Sequence, residues 1–283
     1  MSGQIEMSIS THVAKSSPLR SKNKLNCFNI NLDTTMRKKY ISIFIVILVL
    51  ASCKKKEVAP VTRPVEFTST SYATLGTFDN SGKPSYLLPR ETVSTTLLSF
   101  INTTLPAQKD LRTTNPDLLT TKAIADVAIT QPSDVFITFV TQGAGAGYTN
   151  AFAFYTYSTN KPPTTTADIK TITYVFPNAG NGTPLQRGDK VKIGRFEAGT
   201  SVGFLILQKA WDPTTYTLNN KAVHFCSNDV LNPEVDPALK KHAVLINYTP
   251  ENKVLIGFED VDRTTAICDH DFNDVVFYCT VTP

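Results

Sequence analysis

The sequence has 283 residues, 41% of them hydrophobic, with 28 Lys and Arg against 24 Asp and Glu, a formal net charge of +4. Seven of the basic and two of the acidic residues fall in residues 1–52, so residues 53–283 hold 21 against 22, a net charge near −1. That balance excludes a nucleic-acid-binding field over the folded part, whose length suits one large β domain.

In chain order, residues 1–35 show no apolar periodicity and precede a better start at Met36. They read as an upstream start-site extension. Residues 36–52 place Arg37, Lys38 and Lys39 before the apolar run 41–50, the layout of a signal peptide. Ten apolar residues are too few for a membrane span, which takes about 20. The junction Leu50-Ala51-Ser52-Cys53 resembles the lipobox of bacterial lipoproteins. The resemblance implies that Cys53 becomes the lipidated first residue and anchors the chain to a membrane. Residues 53–65, charged and proline-bearing, read as a tether.

Residues 66–130 form a turn-rich lead-in. Val93, Leu97, Leu98 and Ile101 recur at helical spacing and Pro106 stops the run, which predicts one short helix. From residue 131 strands dominate: "DVFITFVT", "AFAFYTY", "IKTITYVFP", "DKVKIGRF", "SVGFLILQKAW", "KAVHF", "HAVLINY", "KVLIGF" and "DFNDVVFYCTV". Their aromatic and β-branched enrichment, punctuated by Pro, Gly, Asn and Asp, predicts a mainly β chain folded as an antiparallel, jelly-roll-like β-sandwich.

Catalytic motifs are scarce. "GAGAGY" (143–148) leads into a strand rather than a helix and lacks the Lys-Ser/Thr of a phosphate loop. There is no G-x-S-x-G, and His224, His242 and His270 share no spacing; His242, opening a strand, reads as a packed or hydrogen-bonded residue. Acids crowded into one loop are a poor glycosidase pair, which is spread across a cleft. The expectation is a protein without enzymatic activity.

The acids themselves carry the strongest signal. In "GFEDVDRTTAICDHDFNDVVF", six carboxylates stand with a single Arg263 between two apolar runs. An antiparallel hairpin of those runs brings Glu259 and Asp260 to the same sheet edge as Asp269, Asp271, Asn273 and Asp274. Unit charges about 4 Å apart repel by several kcal/mol at an effective dielectric near 20. A hard cation with six to eight oxygen ligands reverses that sign, so these six residues are the predicted calcium ligands. Asp262 is a weaker candidate beside Arg263, and Asn228, Asp229 and Glu234 of "SNDVLNPEVDP" are further candidates. The competing explanation is that Asp and Asn simply form turns here.

"NAFAFYTY", "LQRGDKVKIGRFEAGTSVGFLIL", "NPEVDPALKKHAVL" and "LIGFEDVDR…CDHDFNDVVFY" resemble the domain of unknown function 4114, the LruC-type domain of bacterial exported and surface proteins, over about 134–283. This implies a β-sandwich domain at 131–283, an envelope or extracellular setting, and calcium as ligand. Cys268 and His270 depart from the usual loop. Cys226 and Cys268 form a candidate disulfide, and Cys279, two residues from Phe277, reads as a buried thiol. The functional expectation is a lipid-anchored protein of the cell envelope, on the outer membrane, whose calcium-binding sandwich serves in binding or adhesion to a glycan or surface protein. The alternative is a carbohydrate-binding module with Tyr148, Tyr155, Tyr157 and Trp211 as its sugar platform.

Overall fold

A computed structural model describes residues 66–120, 123–143 and 147–283; the expected start at Met36, signal peptide, lipidation at Cys53 and tether all fall outside them. The strands run in chain order as β1 (Ser71–Thr74), β2 (Val127–Ala128), β3 (Ser133–Gln142), β4 (Ala151–Ser158), β5 (Thr171–Phe176), β6 (Lys190–Phe196) and β7 (Thr200–Gln208). There follow β8 (Trp211–Asp212), β9 (Thr217–Leu218), β10 (Val223–Cys226), β11 (Ala243–Tyr248), β12 (Lys253–Phe258) and β13 (Val275–Thr282). One sheet has the order β1-β5-β4-β7-β10, with β2 also paired to β7; the other has β11-β12-β13-β3-β6. β8 and β9 form a small separate hairpin.

The period-two pattern explains why these runs stack as two sheets. On β4, Phe152 and Phe154 enter the central core, whereas Ala151, Ala153 and Tyr155 enter a second cluster on the outer face. On β13, Val275, Phe277 and Cys279 face the centre and Val276 and Tyr278 face outward. The Phe152 and Phe277 rings stack at 4.0 Å between centroids and join the sheets. The expected sandwich is thus present, with nearly continuous apolar strands because each sheet is covered on its outer face as well.

Part of that cover is the expected helix, α1 (Thr95–Thr104). Ser94 Oγ caps it by accepting from the Leu97 amide at 3.0 Å. Leu97 and Ile101 then pack with Val244, Ile246, Val276 and Tyr278 on the second sheet, each contributing about 1.5–3 kcal/mol of burial. The structure adds what periodicity does not reveal. A four-residue helix, α2 (Leu111–Thr114), follows, capped by Asp110. β1 pairs in parallel with β5, the one parallel pair among the described strands. The lead-in is also no appendage, since β1 and β2 extend the first sheet and α1 covers the second.

Candidate metal centre

β12 and β13 pair antiparallel, with Phe258 opposite Val275, so residues 259–274 leave and re-enter the sheet at one edge. The Asp274 amide donates to Phe258 O at 3.1 Å, and the Asp260 amide donates to Asp274 Oδ2 at 2.8 Å. At the returning end, His270 and Phe272 both adopt left-handed backbone with φ 58°. The Asn273 amide donates to Asp271 Oδ1 at 2.9 Å, closing an Asx turn. Phe272 is fully buried under α1 and fastens the loop to the body. Two glycines make room: a Cβ at Gly257 would lie 2.4 Å from Phe272 O, and one at Gly143 would lie 2.5 Å from Asn273 O.

The fold brings oxygens of Glu259, Asp269 and Asp271 within 4.8 Å of one another. Glu259 and Asp271 are 1% and 3% exposed, whereas Asp269 is open to solvent. Glu259 Oε2 is buried and has no hydrogen-bond donor. Burial, and then the charges of Asp274, Asp269 and Asp271, push the Glu259 carboxyl up to about 9. Burial likewise lifts Asp274 to about 7 and Asp271 to about 6, against opposing hydrogen bonds from backbone amides.

The other expected ligands sit around this trio in different ways. Asp274 is near enough to Glu259 to be the first charge acting on it. Asp260 accepts from Asn150 Nδ2 at 2.5 Å, and its carbonyl accepts from Gln208 Nε2 at 2.5 Å. Asn273 Nδ2 donates to Leu105 O at 3.2 Å. Asp262 accepts from the Thr264 amide at 2.8 Å. Arg263 sends Nε to His270 Nδ1 at 3.2 Å and Nη1 to Lys241 O at 2.8 Å, and lies 5.0 Å from the Phe272 ring centre. It props the loop from behind.

Of the second polar cluster, Glu234 is tied to the loop only indirectly, through His242 and the backbone of Glu259. His242, wholly buried, stacks on Phe225 at 3.8 Å and links Glu234 Oε1 at 2.7 Å to the Glu259 carbonyl at 3.0 Å. The reading of His242 as a hydrogen-bonded core residue agrees with this. Asp229 instead pairs with Lys241 at 2.9 Å, and Asn228 caps the Val230 amide. Sequence reasoning missed Gln108, whose amide donates to Asp271 Oδ2 at 2.7 Å from 163 positions away. No local motif marks it.

Two expectations are corrected. Cys226, Cys268 and Cys279 are all free buried thiols, so the Cys226–Cys268 bridge is not formed. Cys226 packs on the outer face of the first sheet, while Cys268 Sγ lies 3.2 Å from His270 Nδ1 in the loop of the second. Nor do the four aromatics make an open platform. Tyr155 and Trp211 are buried, and Tyr157 turns its hydroxyl onto Asp126 Oδ2 at 2.8 Å.

An oxygen-only trio with a buried unpartnered carboxylate oxygen has the chemistry a hard divalent cation takes. The profile of a family described as Domain of unknown function (DUF4114) matches residues 196–282. That span runs from the last residue of β6 through β13 and contains the whole acidic loop. It is narrower than the expected 134–283 and leaves out β3, β4 and β5, which are interior strands of the two sheets. No curated protein and no solved structure matches the chain.

Proposed function

We propose that the DUF4114 segment makes this chain a calcium-stabilised β-sandwich of the cell envelope, anchored by lipid at Cys53 and acting as a binding or adhesion module. The observation that carries the calcium reading is the Glu259 carboxylate, buried and without a donor at Oε2, grouped with Asp269 and Asp271. Turn formation accounts for Asp262 and for one oxygen of Asp271, but it leaves Oε2 of Glu259 without a partner. Glu259, Asp269 and Asp271 would hold the ion, with Asp274 adjoining. Bound calcium would supply the positive charge that this crowd of carboxylates lacks. The fold-bearing residues do the rest: Phe272 holds the loop down, Arg263 braces it, and Asp260 ties it to Asn150, just before β4 of the facing sheet.

The anchor rests on the lipobox-like residues 50–53. Burial of Tyr155 and Trp211 weighs against a carbohydrate-binding module that uses them as its platform. The test is thermal melting of the full chain in chelator and in millimolar calcium, with magnesium as the control that demands a tighter octahedral site. Calcium should raise the melting temperature and magnesium should do so less. Equal curves in chelator and calcium would leave the acids as turn formers. For the anchor, Cys53→Ser should release the chain from the membrane fraction; a Cys53→Ser chain that is still cleaved and membrane-bound would refute it.

A further inference from the structure

Residues 105–110, which connect α1 to α2, and Leu111, the first residue of α2, are stitched to the acidic loop at three points. Asn273 Nδ2 donates to Leu105 O at 3.2 Å, the Gln108 amide donates to Asp271 Oδ2 at 2.7 Å, and the Leu111 amide donates to His270 O at 3.0 Å. The partners run in opposite directions along the two chains, so one strip of backbone lies against the other. Gln108 holds φ 56°, a conformation that a residue with a Cβ adopts only when its surroundings impose it. Leu105, Leu111 and Phe272 share one buried cluster with Leu97 and Ile101 of α1.

We infer that the cation site is also a clamp, in which occupancy fixes this connector, and α1 with it, onto the outer face of the second sheet. The inference rests on the calcium reading above. Asp271 is the shared group. One of its oxygens holds the Gln108 amide, and the carboxylate also belongs to the trio with Glu259 and Asp269. A carboxylate oxygen has lone pairs for a hydrogen bond and a metal at once. A cation held by Glu259, Asp269 and Asp271 fixes the Asp271 carboxylate in one orientation, and an acceptor so fixed keeps its hydrogen bond to the Gln108 amide. Linkage makes the effect reciprocal, so a docked connector presents Asp271 and tightens cation binding.

The experiment pairs calcium titration calorimetry on the full chain with amide hydrogen exchange in calcium and in chelator. The Gln108 and Leu111 amides should exchange about tenfold or more slowly in calcium. The Thr164 and Thr165 amides, held by Asp168 in a separate turn, serve as the reference and should not change. Gln108→Pro removes the donor and forbids a positive φ, and should weaken calcium binding by about 10–100-fold, as loss of a ligand-orienting partner does. Gln108→Gly keeps the amide and suits the conformation, and should bind as the parent does. Calcium heat with unchanged exchange at Gln108 and Leu111, or a Gln108→Pro chain that binds normally, overturns the clamp and leaves the site reading intact. No calcium heat at all overturns the site reading, and the clamp falls with it.

Discussion

Asp126, half-buried just before β2 on the first sheet, and Glu259, fully buried just past β12 on the second, both have carboxyls whose charge burial opposes. Asp126 has a hydroxyl for each oxygen: Ser227 Oγ donates to Oδ1 and the Tyr157 hydroxyl to Oδ2. Burial still pushes it up to about 7, against the pull of those donors. Glu259 has the Cys268 thiol as a neutral donor, but its Oε2 has no partner and like charges surround it, and it rises to about 9. Each site also has its own buried cysteine, Cys226 beside Asp126 and Cys268 beside Glu259, with the thiol pushed up by burial and then by the neighbouring acid. Burial alone is therefore a poor mark of a cation site. What separates the two places is whether neutral donors already answer the carboxylate oxygens.

The largest expected effect breaks this contrast by mutation. Glu259→Gln or Asp271→Asn should abolish the calcium-dependent rise in melting temperature. At a hundredfold excess over Kd that rise corresponds to about 2.7 kcal/mol, or roughly 5–10 °C for a domain of this size. In chelator at neutral pH, Glu259→Gln should melt no lower than the parent, because burial and the neighbouring acids push that carboxyl up to about 9 and already hold it mostly neutral. A Glu259→Gln chain that is destabilised in chelator and still responds to calcium would show that Glu259 is held by something else.

Next in size is the pH response, which should have opposite signs with and without calcium. The metal-free carboxyls of Asp271, Asp274 and Glu259 stand at about 6, 7 and 9, above ordinary unfolded values near 4. A raised folded value means that their contribution is fully present below about pH 4 and is lost as pH rises toward 9. In chelator the melting temperature should therefore drift downward across that window. Calcium needs the ionised forms, so its affinity should increase across the same window and binding at pH 7 should release protons. Titration calorimetry in two buffers of different ionisation enthalpy measures that release.

A smaller effect is expected at the other site. Asp126→Asn keeps the shape and one acceptor but presents an NH2 to a hydroxyl, and should cost about 1 kcal/mol. The cost should be the same in calcium and in chelator. A calcium-dependent difference would tie Asp126 to the metal loop and dissolve the comparison. Smallest of all, reductant should not move the melting curve, because no bridge joins the two regions. Mass spectrometry of the denatured, unreduced chain should find Cys226, Cys268 and Cys279 all alkylated.

How much of this was legible in the sequence follows from distance along the chain. The β12–β13 hairpin and its acids are local, with apolar runs and turn residues adjacent, and "KVLIGF" and "DVVFYC" specify it. The α1 spacing is local too, and its buried residues are two of the four expected. The parallel pairing of β1 with β5 sets Ser71 against Thr171, and nothing in "SYAT" announces a partner so far away. Gln108 and Asp126 escaped for the same reason. Each is an ordinary polar residue whose importance is conferred by groups far along the chain, 163 positions away for Gln108 and 31 and 101 for Asp126. The disulfide expectation failed because spacing cannot say which sheet a cysteine joins.

β13 lies in the middle of its sheet, with β12 on one side and β3 on the other. It meets β12 across a neighbouring loop, but on its far side Val281 stands opposite Val135. A ribosome therefore releases β3 and β6 long before the strand that joins them to β11 and β12. Through that interval β3 shows an open edge of backbone donors and acceptors, the surface that chaperones shield and neighbouring chains invade. A stop codon just before β13 would remove only a small fraction of the sequence, yet it would leave two half-sheets with nothing to seam them.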